Sequence, residues 1–130
     1  MIDYLDPNHE HVHHRLFREH CYLVPNGPYV KDLRILNRKL DKVVLIDNAA
    51  YSYAFQLENG IPIIPYYHGK NDFELSALRK YLEKLLLVDD VRKVNRSTFL
   101  LHHYRSYKSS ESQRMVIELY VQHNFTEKEE

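Results

Sequence analysis

Val43-Val44-Leu45-Ile46-Asp47-Asn48 is the stretch that decides the fold. Its four consecutive apolar residues are rich in β-branched side chains and show no polar alternation, the pattern of a strand covered on both faces in a parallel sheet. The run stops abruptly at an acid and an amide. Downstream, alanines and aromatics over residues 49–55 suit a helix, Gly60 breaks it, and Ile61-Pro62-Ile63-Ile64 reads as a second short strand, kept near an edge by Pro62. Upstream, Pro25-Asn26-Gly27-Pro28 is a strong turn between the charged but β-compatible residues 12–24 and Tyr29-Val30, so a strand, a turn and a second strand or short helix fit. Residues 1–5 read as the last turn of a helix ended by Asp6-Pro7-Asn8. Strands alternating with helices imply an α/β fold with a parallel sheet.

The best-defined helix begins at Asn71, whose side chain is positioned to cap it while Glu74, three residues on, completes a capping box. Leu75, Leu78, Leu82 and Leu85 form one apolar stripe opposite Arg79, Lys80, Glu83 and Lys84, which makes this a docking helix. After Asp89-Asp90 a short helical or irregular piece runs to about Asn95. Residues 108–113 are a polar, serine-rich connector, residues 115–125 suit either helix or strand, and residues 126–130 read as a frayed acidic end.

A length of 130 residues suits one domain. With 18 basic against 18 acidic residues, no global field draws the chain to nucleic acid or to an anionic membrane, so any partner is recognised locally. The single cysteine, Cys21, makes no internal disulfide, and the N-terminus has neither the apolar run of a secretory signal nor the arginine-rich character of a transit peptide. No apolar stretch approaches the roughly 20 residues of a membrane span. These features predict a soluble protein of a reducing compartment.

Asp47 and Asn48 follow directly after a strand of a parallel sheet, where ligands gather, and both offer the hard oxygens that magnesium requires. From position alone, an Asp-Asn pair more often turns the chain and caps the next helix. Lys31 and Arg18 are the candidate phosphate-facing cations, although a single basic residue is more often a solvated surface charge. His9, His11 and His13, with His14 and Glu10 beside them, share a face only if the segment is a strand, and no cysteine pair or helical spacing supports zinc, so they read as surface or interface histidines. His102-His103 is a weaker candidate still. Arg92, Lys93, Arg96, Arg105 and Lys108, with Tyr104 and Tyr107 interleaved, form a modest basic run that reads as a solvated face.

Five blocks carry more information together than singly: Leu16-Phe17-Arg18-Glu19-His20-Cys21, Tyr29-Val30-Lys31-Asp32-Leu33, Ile46-Asp47-Asn48, Asn59-Gly60-Ile61-Pro62-Ile63 and Asn71-Asp72-Phe73-Glu74-Leu75. Their order and near-spacing resemble the haloacid-dehalogenase-like protein phosphatases of the RNA-polymerase C-terminal-domain, or NLI-interacting-factor, type, and the small phosphatase-like proteins among them most closely. The resemblance runs from about Asp3 to about Asn95. It implies residues 1–96 as the C-terminal part of that homology domain and leaves 97–130 an unassigned tail. The implied fold is an α/β parallel sheet of the haloacid-dehalogenase-like (Rossmann-like) type, here an incomplete domain lacking its first strands.

The resemblance also implies roles. The lysine matching Lys31 stabilises the phosphate and the aspartyl-phosphate intermediate, the arginine matching Arg18 contacts the substrate phosphate, and the pair matching Asp47-Asn48 serves the magnesium site, so Lys31 and Asp47 are the catalytic candidates. The implied activity is magnesium-dependent hydrolysis of phosphoserine or phosphothreonine in a phosphoprotein, the RNA polymerase II tail among the candidates, with no direct nucleic acid and no membrane span. The implied location is nuclear or cytoplasmic rather than mitochondrial. The family's nucleophile lies in an Asp-x-Asp-x-(Thr or Val) motif, and no Asp-x-Asp occurs in this chain. A carboxylate nucleophile splits phosphate-ester hydrolysis into two easier transfers, so cations without it bind but do not turn over. His20-Cys21 does not substitute as a cysteine-phosphatase signature, because the required arginine would fall at Gly27. The chain is therefore expected to be a silent fragment whose nucleophile motif is encoded upstream. It departs further at Ala49-Ala50, where the family usually has Ser-Pro, and at Tyr66, near a usual tryptophan. The alternatives are a truncated phosphoprotein-binding regulator and a non-catalytic relative, the mitochondrial inner-membrane import receptor subunit, which binds presequences and tends to lose the second residue of the Asp-Asn pair.

Overall fold

The computed structural model describes residues 1–69 and 71–101. The connector, the segment 115–125, the acidic end, His102-His103, Tyr104, Arg105, Tyr107 and Lys108 lie outside the described residues. Helix α1 is the single turn Ile2–Leu5, followed at Asp6-Pro7-Asn8 by a loop. That loop is organised by Asp6, whose carboxylate accepts the backbone N–H groups of Glu10, His11 and Val12. Strands β1 (Tyr22–Leu23) and β2 (Tyr29–Val30) form an antiparallel hairpin, with Asn26 in the left-handed region at φ 56°. Asparagine tolerates that conformation well. Most of residues 12–21 is irregular, apart from the 3-10 turn Arg18–His20.

Strands β3 (Leu45–Asp47) and β4 (Gly60–Pro62) pair in parallel, in the register Leu45 to Gly60, Ile46 to Ile61 and Asp47 to Pro62. The sequence expected β3 to be covered on both faces. Instead Val43, Val44, Leu45 and Ile46 are all half-buried, and the second edge of β3 carries no strand among the described residues.

The connection between β3 and β4 is a kinked 3-10 segment, Ala50–Asn59, rather than the expected helix over residues 49–55. Two physical reasons are visible. Its buried residues Ser52, Tyr53, Ala54, Gln56 and Leu57 do not leave one solvent face for a regular amphipathic helix. In addition, the Ser52 carbonyl accepts the N–H of Lys31 at 2.8 Å, a partner outside the segment. Gly60 starts β4 and is needed there for closeness: a Cβ at this position would overlap the fully buried Tyr53 ring.

Helix α2 (Glu74–Leu85) corrects the capping expectation. Asn71 caps nothing; Asp72 Oδ1 accepts the Glu74 N–H at 2.9 Å, and the Glu74 carboxylate accepts the Ile64 N–H rather than closing a box. The helix starts at Glu74, so its own carboxylate lies beside the chain leaving β4. Of the leucine stripe, Leu78, Leu82 and Leu85 pack into the core with Ile61 and Val91, while Leu75 stays exposed. Helix α3 (Val91–Phe99) continues past Asn95, capped at its start by Asp90. Asn95 is buried and joins three elements: its Oδ1 accepts the Tyr81 hydroxyl at 2.7 Å, and its Nδ2 donates to the Glu58 carbonyl at 3.0 Å. A second core cluster of Val30, Tyr53, Ala54, Leu57 and Leu101 holds the hairpin against the 3-10 segment.

Candidate active site

The site is built where β2 and β3 both end. Val30 is fully buried, so by strand alternation Lys31 faces away from the core. Its backbone is fastened to Ser52, and the next residues are fastened by the buried Gln56. That side chain accepts the Leu33 N–H at 3.0 Å and donates to Asp32 Oδ1 at 3.1 Å. Asp32 in turn caps the 3-10 helix Leu33–Leu36 through the Arg34 N–H and forms an ion pair with the Arg34 side chain. Lys31 therefore sits between anchors on both sides of it.

Asp47 is the last residue of β3. Its Oδ1 accepts the Ala49 N–H at 2.8 Å, and its Oδ2 accepts Lys31 Nζ at 2.6 Å, from 16 positions away. The local turn thus uses one oxygen of Asp47, and the ion pair with Lys31 uses the other. The Asp47 side chain is 13% exposed and that of Lys31 46%. Burial pushes the Asp47 carboxyl upward, but the Lys31 hydrogen bond, the Ala49 N–H, the Lys31 charge and the Ser52 hydroxyl outweigh it and hold the group below its ordinary value. It is a carboxylate at neutral pH.

Arg18, Lys31, Asp47 and Asn48 all line one cleft of about 780 Å³. Arg18 reaches it from the 3-10 turn before β1, with its guanidinium carbon 5.1 Å from the centre of the Tyr29 ring. Asn48 is exposed at the rim. His9, His11, His13 and His14 are exposed and do not line the cleft, whereas His20 does, with its Nδ1 accepting the Phe17 N–H. Ser52, Gln56 and Tyr29 were not singled out from the sequence. A polar Ser and Gln inside the apolar run of residues 49–57 were the available signal for the first two.

Asp47 and Asn48 suit magnesium in donor chemistry, since that ion takes one or two carboxylates and completes its shell with water and phosphate oxygens. Both oxygens of Asp47 already hold hydrogen bonds. Among the described residues, no three His, Cys, Asp or Glu side chains gather as a ligand group. These two side chains thus fit part of a magnesium shell.

Residues 1–92 match the family model of the NLI interacting factor-like phosphatases. The chain is 46% identical over 110 residues to the CTD small phosphatase-like protein 3 of Caenorhabditis elegans, covering 84% of this chain and 38% of that protein. It is 43% identical over 82 residues to the human carboxy-terminal domain RNA polymerase II polypeptide A small phosphatase 1, covering 63% of this chain and 31% of that protein. A mitochondrial import inner membrane translocase subunit of Candida glabrata is 39% identical over 113 residues, which is 85% of this chain and 22% of that subunit. The chain thus spans well under half the length of each of these relatives. No helix among the described residues is long and apolar enough to cross a membrane.

Proposed function

The chain belongs to the NLI interacting factor-like phosphatases, and from that premise we propose that residues 1–96 supply the phosphate- and magnesium-binding half of a phosphoserine/phosphothreonine protein phosphatase centre that works through an aspartyl phosphate. The observation that carries the reading is the Lys31–Asp47 contact at 2.6 Å, in one cleft with Arg18 and Asn48. In this reading Arg18 grips the substrate phosphate through its planar fork, and Lys31 offsets the charge of the phosphoryl group and its intermediate. Asp47 and Asn48 hold magnesium, which when bound draws charge from the phosphoryl oxygens.

These 130 residues contain no Asp-x-Asp, so the cleft binds and polarises a phosphoryl group without attacking it. Turnover takes a nucleophile from a further polypeptide segment, in cis or in trans. The edge of β3 that carries no strand among the described residues is the natural seat for its strand, because β3 is apolar and ends at Asp47. This completes a haloacid-dehalogenase-like sheet. The substrate class is a phosphoprotein, with the RNA polymerase II tail proposed on the name of the human relative, and the setting is nuclear or cytoplasmic.

The similarity to the translocase subunit favours a second reading, a non-catalytic binding module. The two separate in one experiment. The chain is co-expressed with a segment carrying the family's Asp-x-Asp-x-(Thr or Val) motif and assayed on a phosphoserine peptide across a magnesium titration. The pair should turn over, the chain alone should not, and Lys31→Ala should cost about a hundredfold or more, since one preorganised contact contributes ~3–4 kcal/mol in the transition state. Asn48→Ala should raise the magnesium requirement instead. A folded pair that stays silent at every magnesium level favours the binding module. Near-wild-type turnover by Lys31→Ala refutes the assigned role.

A further inference from the structure

We infer that Tyr29 is a positioning residue for the phosphate-binding arginine: its ring face holds the Arg18 guanidinium in place while leaving every N–H of that group free for a phosphate. The inference rests on the phosphate-binding reading of Arg18.

The geometry is set by the hairpin. In an antiparallel pair, directly opposed residues share a face. Tyr22 opposes Val30, and Leu23 opposes Tyr29. Val30 is fully buried and Tyr22 packs edge-on against Phe55, with ring centres 5.5 Å apart, so that face is turned to the core. Tyr29 is on the other face, and by alternation Lys31 follows it there. The turn Arg18–His20, closed by the Cys21 N–H on the Arg18 carbonyl, then brings the Arg18 side chain back over the Tyr29 ring. The hairpin thus delivers both cations to one side.

The choice of an aromatic partner matters chemically. Arg15 is paired with Asp3, Arg92 with Asp90 and Arg96 with Glu58, but among the described residues no acidic side chain pairs with Arg18. A carboxylate partner would neutralise the guanidinium and occupy the fork that a phosphate needs. A stacked aromatic face attracts the cation through the negative π cloud above the ring and occupies no N–H donor. A long, flexible side chain is thereby held for its ligand with its charge intact. The hydroxyl of Tyr29 has no part in this, so the ring alone is sufficient.

The test is an NMR titration of the isotope-labelled full chain with inorganic phosphate, following the Arg18 Nε–Hε resonance. Arg18→Ala should weaken phosphate binding about tenfold or more, as expected for a lost charge-assisted contact. Tyr29→Leu should weaken it about two- to fivefold, the scale of an exposed cation–π contact, while Tyr29→Phe should bind as the parent does. On the Arg18→Ala background, Tyr29→Leu should have no further effect; an equal loss on both backgrounds would mean general disruption and overturn the inference. In the parent chain the Arg18 resonance should be shifted upfield by the ring, a measurement that stands even if Tyr29→Leu does not fold. An unshifted resonance overturns the stacking. If Arg18→Ala weakens binding and Tyr29→Leu does not, the positioning role fails alone. If Arg18→Ala has no effect, or the parent chain binds no phosphate, the phosphate-site reading itself fails and the positioning role with it.

Discussion

Replacing Asn59 by alanine should be among the more damaging single changes in the chain, and its cost can be worked from two hydrogen bonds. The side chain is 2% exposed, and its Nδ2 donates to the Leu40 carbonyl at 2.6 Å and the Val43 carbonyl at 2.7 Å. Those carbonyls bracket the 3-10 turn Leu40–Lys42 that feeds β3, so one amide fixes the entry to the strand that ends in Asp47. Alanine removes both donors in a place water reaches poorly. At about 1–2 kcal/mol for each carbonyl left without its donor, the loss is about 2–4 kcal/mol. For a domain of this size that lowers the melting temperature by roughly 10–30 °C. Asn59→Asp sharpens the test, because it turns a carboxylate toward two carbonyl oxygens and should be worse than alanine at neutral pH. Its carboxyl is then held above the ordinary value, so the deficit should shrink as pH falls through that raised value and the proton supplies one donor. Urea denaturation of dilute protein, with amide exchange of Leu45 and Ile46 as the local probe, would measure both. An Asn59→Ala variant within 0.5 kcal/mol of the parent, or an aspartate variant with no pH relief, would refute the reasoning.

Gly60→Ala should lose about 3 kcal/mol or fail to fold, since the new Cβ would lie 2.6 Å from Tyr53 Cγ and that ring has no room to retreat; an unchanged melting temperature would contradict this packing. Lys31→Met should let the Asp47 carboxyl rise toward its ordinary value, visible by carbon NMR of the side chain. Because the folded carboxyl is depressed, the pair's stabilisation is present above the ordinary value of 3.8 and lost as pH falls through the folded one. With Lys31 half-exposed it amounts to about 0.5–1 kcal/mol at neutral pH, and a parent–variant difference that persists unchanged into strong acid would exclude the ion pair as its source. Asp6, depressed chiefly by the Val12 N–H, should add to the same acid lability, which Asp6→Asn would reduce in a pH-dependent melt. At high concentration the chain alone should self-associate, since among the described residues one β3 edge carries no strand and Leu75, Leu86 and Leu87 are exposed; a monodisperse monomer in sedimentation would argue otherwise.

Local pattern made several features legible in the sequence. The apolar run of residues 43–46 announced a strand, of which Leu45 and Ile46 pair with β4; Pro-Asn-Gly-Pro announced a reversal of the chain; and the leucine stripe announced a core face that Leu78, Leu82 and Leu85 supply without Leu75. The resemblance in five blocks also named Arg18, Lys31, Asp47 and Asn48 before their meeting place was visible. Periodicity is a property of neighbours in sequence, so it reports on elements and the faces they bury. It does not report on which distant group a polar side chain will meet. Glu74 had the spacing of a capping box and instead accepts the Ile64 N–H; Asn59 stood in one of the five blocks but had no periodic or capping pattern, and it holds the entry to β3. Asp47 shows the division within one residue: its Oδ1 makes the local turn that an Asp-Asn pair announces, whereas its Oδ2 meets Lys31 across 16 positions. That second contact, and the Tyr29 ring beneath Arg18, exist only because the tertiary packing of the hairpin against residues 50–59 brings the ends of β2 and β3 together.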